Sequence, residues 1–358
     1  MKAIVLEKAG KLEYREIAKP NPEEDEVLVK VMAAGICGSD IPRAYRDGAH
    51  KMPIVIGHEF AGRVESAGDR VSPDLIGKRV GIFPLIPCRK CGPCLEHKYE
   101  MCRDYSYLGS RRDGGFAEYV TVPSWNIIEL PDSVTFEAAA MLEPMAVAVH
   151  AMRRTVSFVQ NEPAGSDRTV VVCGLGTIGT LLVMFLLDAG FTNLLVVGNK
   201  EFQRNTMRKL GIPDSNYCDS GMTSPYDFVM DHTGHKGAGI FFECVGSNET
   251  VSLAIDCAAP AGSVCLVGNP HSDMTFAKNV YWKILRNQIR VTGTWNSSFF
   301  GNGEDGDDWH YVLKRLENRK ICPEDLITQR YSLEDICRGF ELMRDKSEDY
   351  IKVMYSRN

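Results

Sequence analysis

The segment TVVVCGLGTIGTLLVMFLLDAG, residues 169–190, decides the fold of this chain. It begins with a β-branched apolar run typical of a buried strand, continues through a glycine-rich turn, and ends with an apolar run of helical length. The turn has the spacing G-x-G-x-x-G. Its first glycine permits the tight turn, the second lets the backbone approach a pyrophosphate, and the third lets helix and strand pack closely. The segment therefore predicts the first unit of a dinucleotide-binding sheet.

The residues of this turn are the first candidate cofactor contacts. They are Gly174, Gly176, Thr177, Ile178 and Gly179. The N-terminus of the following helix offers free N–H groups to an anionic pyrophosphate. Glycine turns also join strands to helices for steric reasons alone. The strand before this turn and a second strand about 20 residues later favour the dinucleotide interpretation.

The remaining sequence indicates two regions that differ in their pattern of strands and helices. From about residue 140 strand-like and helix-like segments alternate, as in NLLVVGNK, EFQRNTMRKLG, GIFFECVG and GSVCLVGN, which predicts a parallel sheet with helices on both faces. The first 150 residues instead form short strand-like runs between Gly, Pro and Asp. A chain of 358 residues is expected to form two domains. We assign residues 1–150 and 297–358 to one and residues 151–296 to the other.

The end of the second strand in the alternating region bears on the choice of coenzyme. NAD-preferring sites usually carry Asp or Glu there to accept hydrogen bonds from the ribose hydroxyls. This chain has Gly198 at that position, followed by Asn199, Lys200 and Arg204. The missing carboxylate and the nearby cations favour the 2′-phosphate of NADP, although two such cations are also ordinary on a solvent-facing helix. NAD and NADP both stay open.

The composition argues against several classes of protein. The formal net charge of −6 gives no broad basic field for nucleic acid or anionic lipid. No apolar run approaches the ~18 to 20 residues needed to span a bilayer, and the N-terminal apolar run is too short for a signal peptide. We expect a cytoplasmic protein that acts on a small molecule.

Four of the twelve cysteines lie close together in PCRKCGPCLEHKYEMC. Cys88, Cys91, Cys94 and Cys102 have the spacing C-x2-C-x2-C-x7-C, and four thiolates so close can form a closed tetrahedral zinc site, which is structural. The length of the chain and the expected compartment disfavour disulfides. An iron–sulfur cluster uses similar spacings, but we favour zinc.

A second candidate metal site combines the segments ICGSD and IGHEF. Cys37 can supply a thiolate and His58 a neutral imidazole, and Asp40 or Glu59 can orient these ligands. A catalytic zinc needs about three protein ligands and one position open to water or substrate. Each residue alone would more often be structural, because a single cysteine or histidine usually belongs to the core.

Five motifs occur in order along nearly the whole chain: GICGSDIPRAYRDGAHKMPIVIGHEFAGRVESAG, the four-cysteine segment, GSRRDGGFAEYVTVP, LEPMAVAVHA and GLGTIG. In this combination they resemble the zinc-containing medium-chain dehydrogenases, within the polyol dehydrogenase branch. The resemblance implies an α/β protein with a β-rich GroES-like catalytic domain and a Rossmann coenzyme domain built on a doubly wound parallel sheet. It also implies a homo-oligomer, either dimer or tetramer.

The resemblance further implies the residues of a catalytic centre. Cys37, His58 and Glu143 would hold the catalytic zinc, with Glu59 beside it as an alternate ligand or an orienting partner. Ser39 would hydrogen-bond the alcohol and begin a proton relay. Many alcohol dehydrogenases continue that relay through a histidine where this chain has Pro42, so the outer relay is unassigned.

Three arginines are candidate contacts to a phosphorylated substrate: Arg43, which we favour, and Arg111 and Arg112. A sugar-alcohol phosphate brings roughly two negative charges, which arginine forks bind well. The resemblance favours oxidation of such a phosphate by NAD or NADP. An unphosphorylated polyol, sorbitol-like or a vicinal diol, is the alternative substrate. A non-catalytic zinc- and NADPH-binding protein on the same fold is the third possibility, and the complete set of zinc ligands argues against it.

Overall fold

The computed structural model describes residues 1–157, 168–270, 272–303 and 306–357. The chain divides into two compact units, Met1–Ala146 with Ser297–Asn358, and Val147–Asn296. None of the helices in the described ranges combines the length and apolar character that a bilayer span requires.

The chain contains many short strands before residue 130 and a regular alternation of strands and helices after it. The strands are β1 Lys2–Lys8, β2 Lys11–Glu16, β3 Glu26–Ile36, β4 Ile54–Val55, β5 Glu59–Ala67, β6 Arg79–Ile82, β7 Leu85–Ile86, β8 Ser106–Tyr107, β9 Tyr119–Pro123, β10 Ile127–Glu129, β11 Val170–Cys173, β12 Leu194–Gly198, β13 Tyr217–Asp219, β14 Ala238–Glu243, β15 Ala258–Leu266, β16 Arg290–Gly293, β17 Ile327–Tyr331 and β18 Lys352–Ser356.

The helices are concentrated in the second half of the chain. The α-helices are α1 Asp40–Pro42, α2 Gly92–Leu95, α3 Phe136–Ala140, α4 Leu142–Ser157, α5 Thr177–Asp188, α6 Glu201–Lys209, α7 Pro225–His232, α8 Asn248–Cys257, α9 Lys278–Arg286, α10 Asp308–Glu317 and α11 Ile336–Asp345. One π-helical turn, Arg43–Asp47, follows α1, and short 3-10 turns cover Pro73–Leu75, Tyr99–Met101, Ser124–Asn126, Asp214–Asn216 and Pro323–Leu326.

The first unit is built on mainly antiparallel sheets. Its largest sheet has the order β10-β6-β5-β3-β18-β17, and β9 also pairs with β3. The C-terminal strand β18 lies antiparallel to β3, with Val353 opposite Ile36. Phe60, Phe116 and Phe340 are buried in the core that this sheet covers. The pairing of β18 with β3 places Lys352, the first residue of β18, beside the segment that follows β3.

The second unit contains one parallel sheet of six strands in the order β13-β12-β11-β14-β15-β16. This is the 3-2-1-4-5-6 order of doubly wound dinucleotide-binding domains. Every residue of β11 and β12 is buried, as expected for strands that are covered on both faces of a parallel sheet. The predicted fold class is confirmed.

The segment 169–190 folds as its sequence predicts. β11 ends at Cys173 and α5 begins at Thr177. Gly174 has a φ of 96°, a backbone conformation that favours glycine. A Cβ on Gly179 would lie 1.9 Å from the carbonyl oxygen of Gly174, whereas a Cβ on Gly176 would meet nothing within 4 Å. The turn thus leaves no room for a side chain at Gly179, whereas the space beside Gly176 is free of protein atoms.

Candidate metal and coenzyme sites

The four clustered cysteines converge in the segment between β7 and β8. Their sulfur atoms all lie within 4.8 Å of one another, with Sγ–Sγ distances of 3.5 Å for Cys91 and Cys94, 4.0 Å for Cys88 and Cys94, and 3.9 Å for Cys91 and Cys102. A tetrahedron with Zn–S bonds of about 2.3 Å has edges of about 3.8 Å. The cysteine cluster therefore fits a closed structural zinc site.

Hydrogen bonds and aromatic packing support this cysteine lobe. Backbone hydrogen bonds from Arg103 and Cys94 lower the pKa of Cys91 to about 6, which favours the thiolate that zinc requires. Trp125 packs against Tyr99, with ring centroids 5.1 Å apart, and against Phe299, with ring centroids 5.2 Å apart. The lobe is thereby attached to the segment that follows residue 297.

A second set of potential ligands forms where β3 ends and the neighbouring antiparallel strand β5 begins. Gly35 in β3 lies opposite Glu59 in β5, so the residue after β3 and the residue before β5 meet. The ligand atoms of Cys37, His58 and Glu59 lie within 4.8 Å of one another. Cys37 is half-buried, and the other two residues are buried. A thiolate, an imidazole and a carboxylate are suitable donors for zinc.

Asp40 orients both Cys37 and His58. This fully buried carboxylate accepts a hydrogen bond from the Cys37 backbone N–H at 3.1 Å, and its other oxygen lies 3.3 Å from His58 Nδ1. Burial opposes both charges, yet Asp40 and Cys37 raise the pKa of His58, and His58 and Arg43 lower the pKa of Asp40. Because Nδ1 faces Asp40, Nε2 is the nitrogen left for a metal.

Glu59 makes a contact that the sequence analysis missed. Its Oε2 accepts a hydrogen bond from the ammonium group of Lys352. The same ammonium group donates to the carbonyl oxygen of Ile36 at 3.1 Å. Both charged side chains are buried. The available signal was a lysine within the otherwise apolar strand IKVMY, since a buried lysine requires a partner.

Glu143 is connected to this set of potential ligands through Tyr107. Its Oε1 accepts a hydrogen bond from the Tyr107 hydroxyl at 3.2 Å, and the Tyr107 and His58 rings are 5.6 Å apart. Burial raises the pKa of Glu143 to about 7. Within the described ranges, the 4.8 Å set that includes Cys37 and His58 contains Glu59 and does not contain Glu143. The ligand role predicted for Glu143 stays a prediction.

Ser39 lies next to the potential ligands. Its hydroxyl donates to Cys37 Sγ at 3.3 Å, so it is close enough to meet a molecule bound at the same donors. Pro42 ends α1 two residues after Asp40. The relay that the sequence suggests through Ser39 stays a prediction.

The three candidate phosphate-binding arginines make different contacts. Arg43 donates to the buried Asp40. Arg112 donates to the buried carboxylate of Glu26. Arg111 contacts His50 Nε2 at 3.3 Å. Two of the three charges are thus already matched by a carboxylate.

The end of β12 carries the predicted coenzyme-selecting residues. A Cβ on Gly198 would lie 2.6 Å from the Tyr217 hydroxyl and 2.7 Å from Gln203 Oε1. An acidic side chain at this position would require those groups to move. The backbone N–H of Asn199 donates to the same Gln203 oxygen, and the Lys200 carbonyl accepts from the Tyr217 hydroxyl.

The guanidinium of Arg204 lies over the ring of Tyr217. It is 4.9 Å from the centre of that ring, and Arg204 Nε is 3.9 Å from Glu201. A guanidinium stacked on an aromatic ring keeps its outer N–H groups directed away from the ring, so they are available to an anion. The end of β12 thus offers a nearby guanidinium and no carboxylate side chain at position 198.

Two family models match this chain. The alcohol dehydrogenase GroES-like domain matches residues 23–132, and the zinc-binding dehydrogenase domain matches residues 177–318. The chain belongs to the zinc-containing medium-chain dehydrogenases, as its motifs predict. The members of this family are oxidoreductases that act on CH–OH groups and use zinc and NAD or NADP.

Within this family, the chain is similar to galactitol 1-phosphate 5-dehydrogenase of Escherichia coli (strain K12). The two are 32% identical over 341 residues, which cover 95% of each chain. The crystal structure of galactitol-1-phosphate dehydrogenase from Escherichia coli matches with a TM-score of 0.89 at 30% identity over 100% of both chains. L-Idonate 5-dehydrogenase of Vitis vinifera is 30% identical over 92% of this chain and 88% of the relative.

Proposed function

We propose that this chain oxidises a secondary alcohol of a sugar-alcohol phosphate, converting galactitol 1-phosphate to tagatose 6-phosphate. One hydride passes to NAD(P)+ and one proton is released, so that the alcohol becomes a ketone. The observation that carries the proposal is the set of Cys37, His58 and Glu59 beside basic residues of the same unit. The similarity to the Escherichia coli enzyme supports the choice of substrate.

Cys37 and His58, with Glu59 or Glu143, would hold the catalytic zinc. When bound, zinc supplies Lewis acidity that lowers the pKa of an alcohol hydroxyl. Asp40 keeps the His58 ring in the orientation that leaves Nε2 free. Lys352 balances the charge of Glu59 in a buried environment.

Ser39 would hydrogen-bond the substrate alcohol. Its hydroxyl already lies 3.3 Å from Cys37 Sγ, and a hydroxyl both donates and accepts, so it can pass a proton on. Pro42 has no group that carries a proton. The route of the proton beyond Ser39 stays unassigned.

We propose that NADP is the preferred coenzyme. Asn199, Lys200 and Arg204 follow a strand end that lacks a carboxylate, and Arg204 is stacked on Tyr217. These features suit the 2′-phosphate. The pyrophosphate would lie at the N-terminus of α5, against Gly176, Thr177 and Ile178.

We also propose that the chain forms a homo-oligomer through the edge of its parallel sheet. β16 is one of the two edge strands of this sheet, and Trp282, Trp295 and Leu285 in the same region are more than half exposed. A second copy could continue the sheet and cover these apolar groups. Light scattering of the chain against a Trp295→Glu variant tests this proposal, which predicts a smaller species for the variant.

The substrate proposal is tested by initial rates of nicotinamide reduction. Galactitol 1-phosphate, galactitol and sorbitol are compared with NAD+ and with NADP+, using zinc-loaded protein. A strong preference for the phosphate supports the proposal. Turnover of free polyols alone would favour the polyol dehydrogenase alternative, and no turnover of any alcohol would favour a non-catalytic protein.

A further inference from the structure

Arg111 and His50 form a basic pair in the first unit. Arg111 Nη2 lies 3.3 Å from His50 Nε2, and the guanidinium stacks over the Tyr105 ring at 4.7 Å. Arg111 Nε is buried and has no hydrogen-bond partner. In the described part of the chain, neither residue has an ion pair with a carboxylate. His50 is exposed, so the pair is accessible from solvent.

The loop that carries Arg111 is fixed against the segment that carries His58. Asp113 accepts a hydrogen bond from the Val55 backbone N–H at 2.9 Å. The backbone N–H groups of Gly114 and Gly115 donate to the carbonyls of Val55 and Gly57. A Cβ on Gly114 would lie 2.0 Å from the Gly57 carbonyl oxygen. The backbone of this loop is therefore held in a defined position relative to the segment that carries His58.

The surroundings of His50 are electropositive. Partial desolvation lowers the pKa of His50, and the charges of Arg111 and Arg43 lower it further. Arg43 is already paired with Asp40, whereas Arg111 has no carboxylate partner among the described residues. Two basic groups held together without a carboxylate are a suitable arrangement for an anion.

Arg112, the next residue in the loop, does have a carboxylate partner, unlike Arg111. Arg112 donates to the buried carboxylate of Glu26 at 2.5 Å. The charge of Arg112 is therefore compensated by this ion pair. Arg111, one residue earlier, directs its guanidinium to Tyr105 and His50 instead.

Aromatic contacts connect Arg111 to the potential zinc ligands. The Tyr105 ring, over which Arg111 lies, is 6.1 Å from the Tyr107 ring. The Tyr107 ring is in turn 5.6 Å from the His58 ring. A continuous row of side-chain contacts therefore runs from Arg111 to His58.

We propose that Arg111 and His50 bind the phosphate monoester of the substrate, while Arg43 serves to hold Asp40. The proposal rests on the proposed function and deepens it, because it names the residues that distinguish a phosphorylated polyol from a free one. The guanidinium fork supplies charge-assisted donors to the phosphate oxygens, and the imidazole supplies one more.

The first test compares kcat/KM for galactitol 1-phosphate and for galactitol. In Arg111→Gln the value for the phosphate is expected to fall about tenfold to hundredfold, as for the loss of hydrogen bonds to a charged group. The value for galactitol should stay within about twofold, and Arg111→Lys should fall between wild type and Arg111→Gln. His50→Gln should show a smaller loss of the same kind.

Arg46→Gln is the matched control. Arg46 lies in the same segment as His50, is exposed, and pairs with Asp47, so its loss should change neither value. An Arg111→Gln variant that keeps the wild-type preference for the phosphate would overturn the proposal. So would an equal loss on both substrates, since that outcome indicates a structural role for Arg111.

The second test measures binding of inorganic phosphate by calorimetry, with saturating NADP+ present to occupy the coenzyme site. We expect binding to the wild type and to Arg46→Gln, and at least about tenfold weaker binding to Arg111→Gln. Absence of binding to the wild type would overturn the proposal. If phosphate binds through Arg111 but phosphorylated and free polyols are oxidised equally well, the anion site stands and the proposed substrate fails.

L-Idonate distinguishes phosphate from carboxylate as the bound anion. A carboxylate can also contact a guanidinium and an imidazole, and a relative of this chain acts on L-idonate by name. We expect galactitol 1-phosphate to be the better substrate. A preference for L-idonate that is lost in Arg111→Gln would assign the same residues to a carboxylate and overturn the choice of phosphate.

Discussion

Glu59 and Lys352 form a buried ion pair although 293 residues separate them in sequence. Strand β18 brings Lys352 beside β3, and β5 brings Glu59 to the other side of β3. Gly35 makes the contact possible, because a Cβ there would lie 2.5 Å from Glu59 Oε2 and from Lys352 Cε. The pair links the C-terminal strand to the potential zinc ligands.

Replacing Lys352 by Met should strongly destabilise the first unit. The substitution leaves the Glu59 carboxylate buried without a partner, a change that typically costs about 3–5 kcal/mol. Urea denaturation measures the free energy of unfolding. The double variant Glu59→Gln with Lys352→Met should recover part of the loss. If Lys352→Met alone were as stable as the wild type, the pair would not contribute as described.

Replacing Gly35 by Ala should cost about 1–3 kcal/mol, because the added methyl group overlaps both members of the pair. Gly38→Ala is the matched control, since a Cβ there meets nothing within 4 Å. We expect the control to change stability by about 0.5 kcal/mol or less. Equal stability losses in the two variants would contradict the steric explanation.

Zinc content separates the two metal sites. Elemental analysis of the purified chain should find two zinc ions per chain. Cys37→Ser should lose the catalytic ion and Cys94→Ser the structural ion, leaving about one in each variant. Only Cys94→Ser should also lower the melting temperature strongly, because the cysteine lobe has a small core of its own. Two ions retained in Cys37→Ser would contradict the assignment of the catalytic site.

Arg204→Gln should reduce kcat/KM for NADP+ by about tenfold while leaving that for NAD+ nearly unchanged. Arg208→Gln on the same helix is the control, since Arg208 is exposed and pairs with Asp214. Steady-state kinetics with both coenzymes measures the effect. An equal loss for NAD+ and NADP+ would show that Arg204 does not select the coenzyme.

Binding of phosphate should be accompanied by uptake of a proton. Burial, Arg111 and Arg43 lower the pKa of free His50, so near neutral pH the imidazole is mainly uncharged. A bound phosphate adds negative charge beside the ring and raises that pKa, and His50 takes up a proton. Calorimetry in two buffers of different ionisation enthalpy measures the uptake. His50→Gln should reduce it, and an unchanged uptake would exclude His50 as its source.

The sequence predicted those features whose determinants are close together along the chain. The glycine turn at 174–179 and the four-cysteine segment each carry their geometry in a short spacing. Asp40 and Ser39 were predicted to lie near Cys37, because only two or three residues separate them from it. Lys352 was missed because its partner depends on how β18 pairs with β3. His50 was missed because its contact depends on the conformation of the loop that carries Arg111.

Which charged groups pair with each other could not be predicted from the sequence. Arg43 was the favoured phosphate contact, and in the structure it pairs with Asp40. Arg111 and Arg112 are adjacent and chemically identical, yet only Arg112 meets a carboxylate. Pairing of this kind depends on distances between side chains on different strands, which residue types and spacing do not specify.

The most direct test of the account is the ratio of kcat/KM for galactitol 1-phosphate to kcat/KM for galactitol, measured with the zinc-loaded wild-type chain and NADP+. The account predicts a ratio far above one, because the phosphate gains charge-assisted hydrogen bonds that galactitol cannot make. A ratio near or below one would contradict it and leave the chain a dehydrogenase of unphosphorylated polyols.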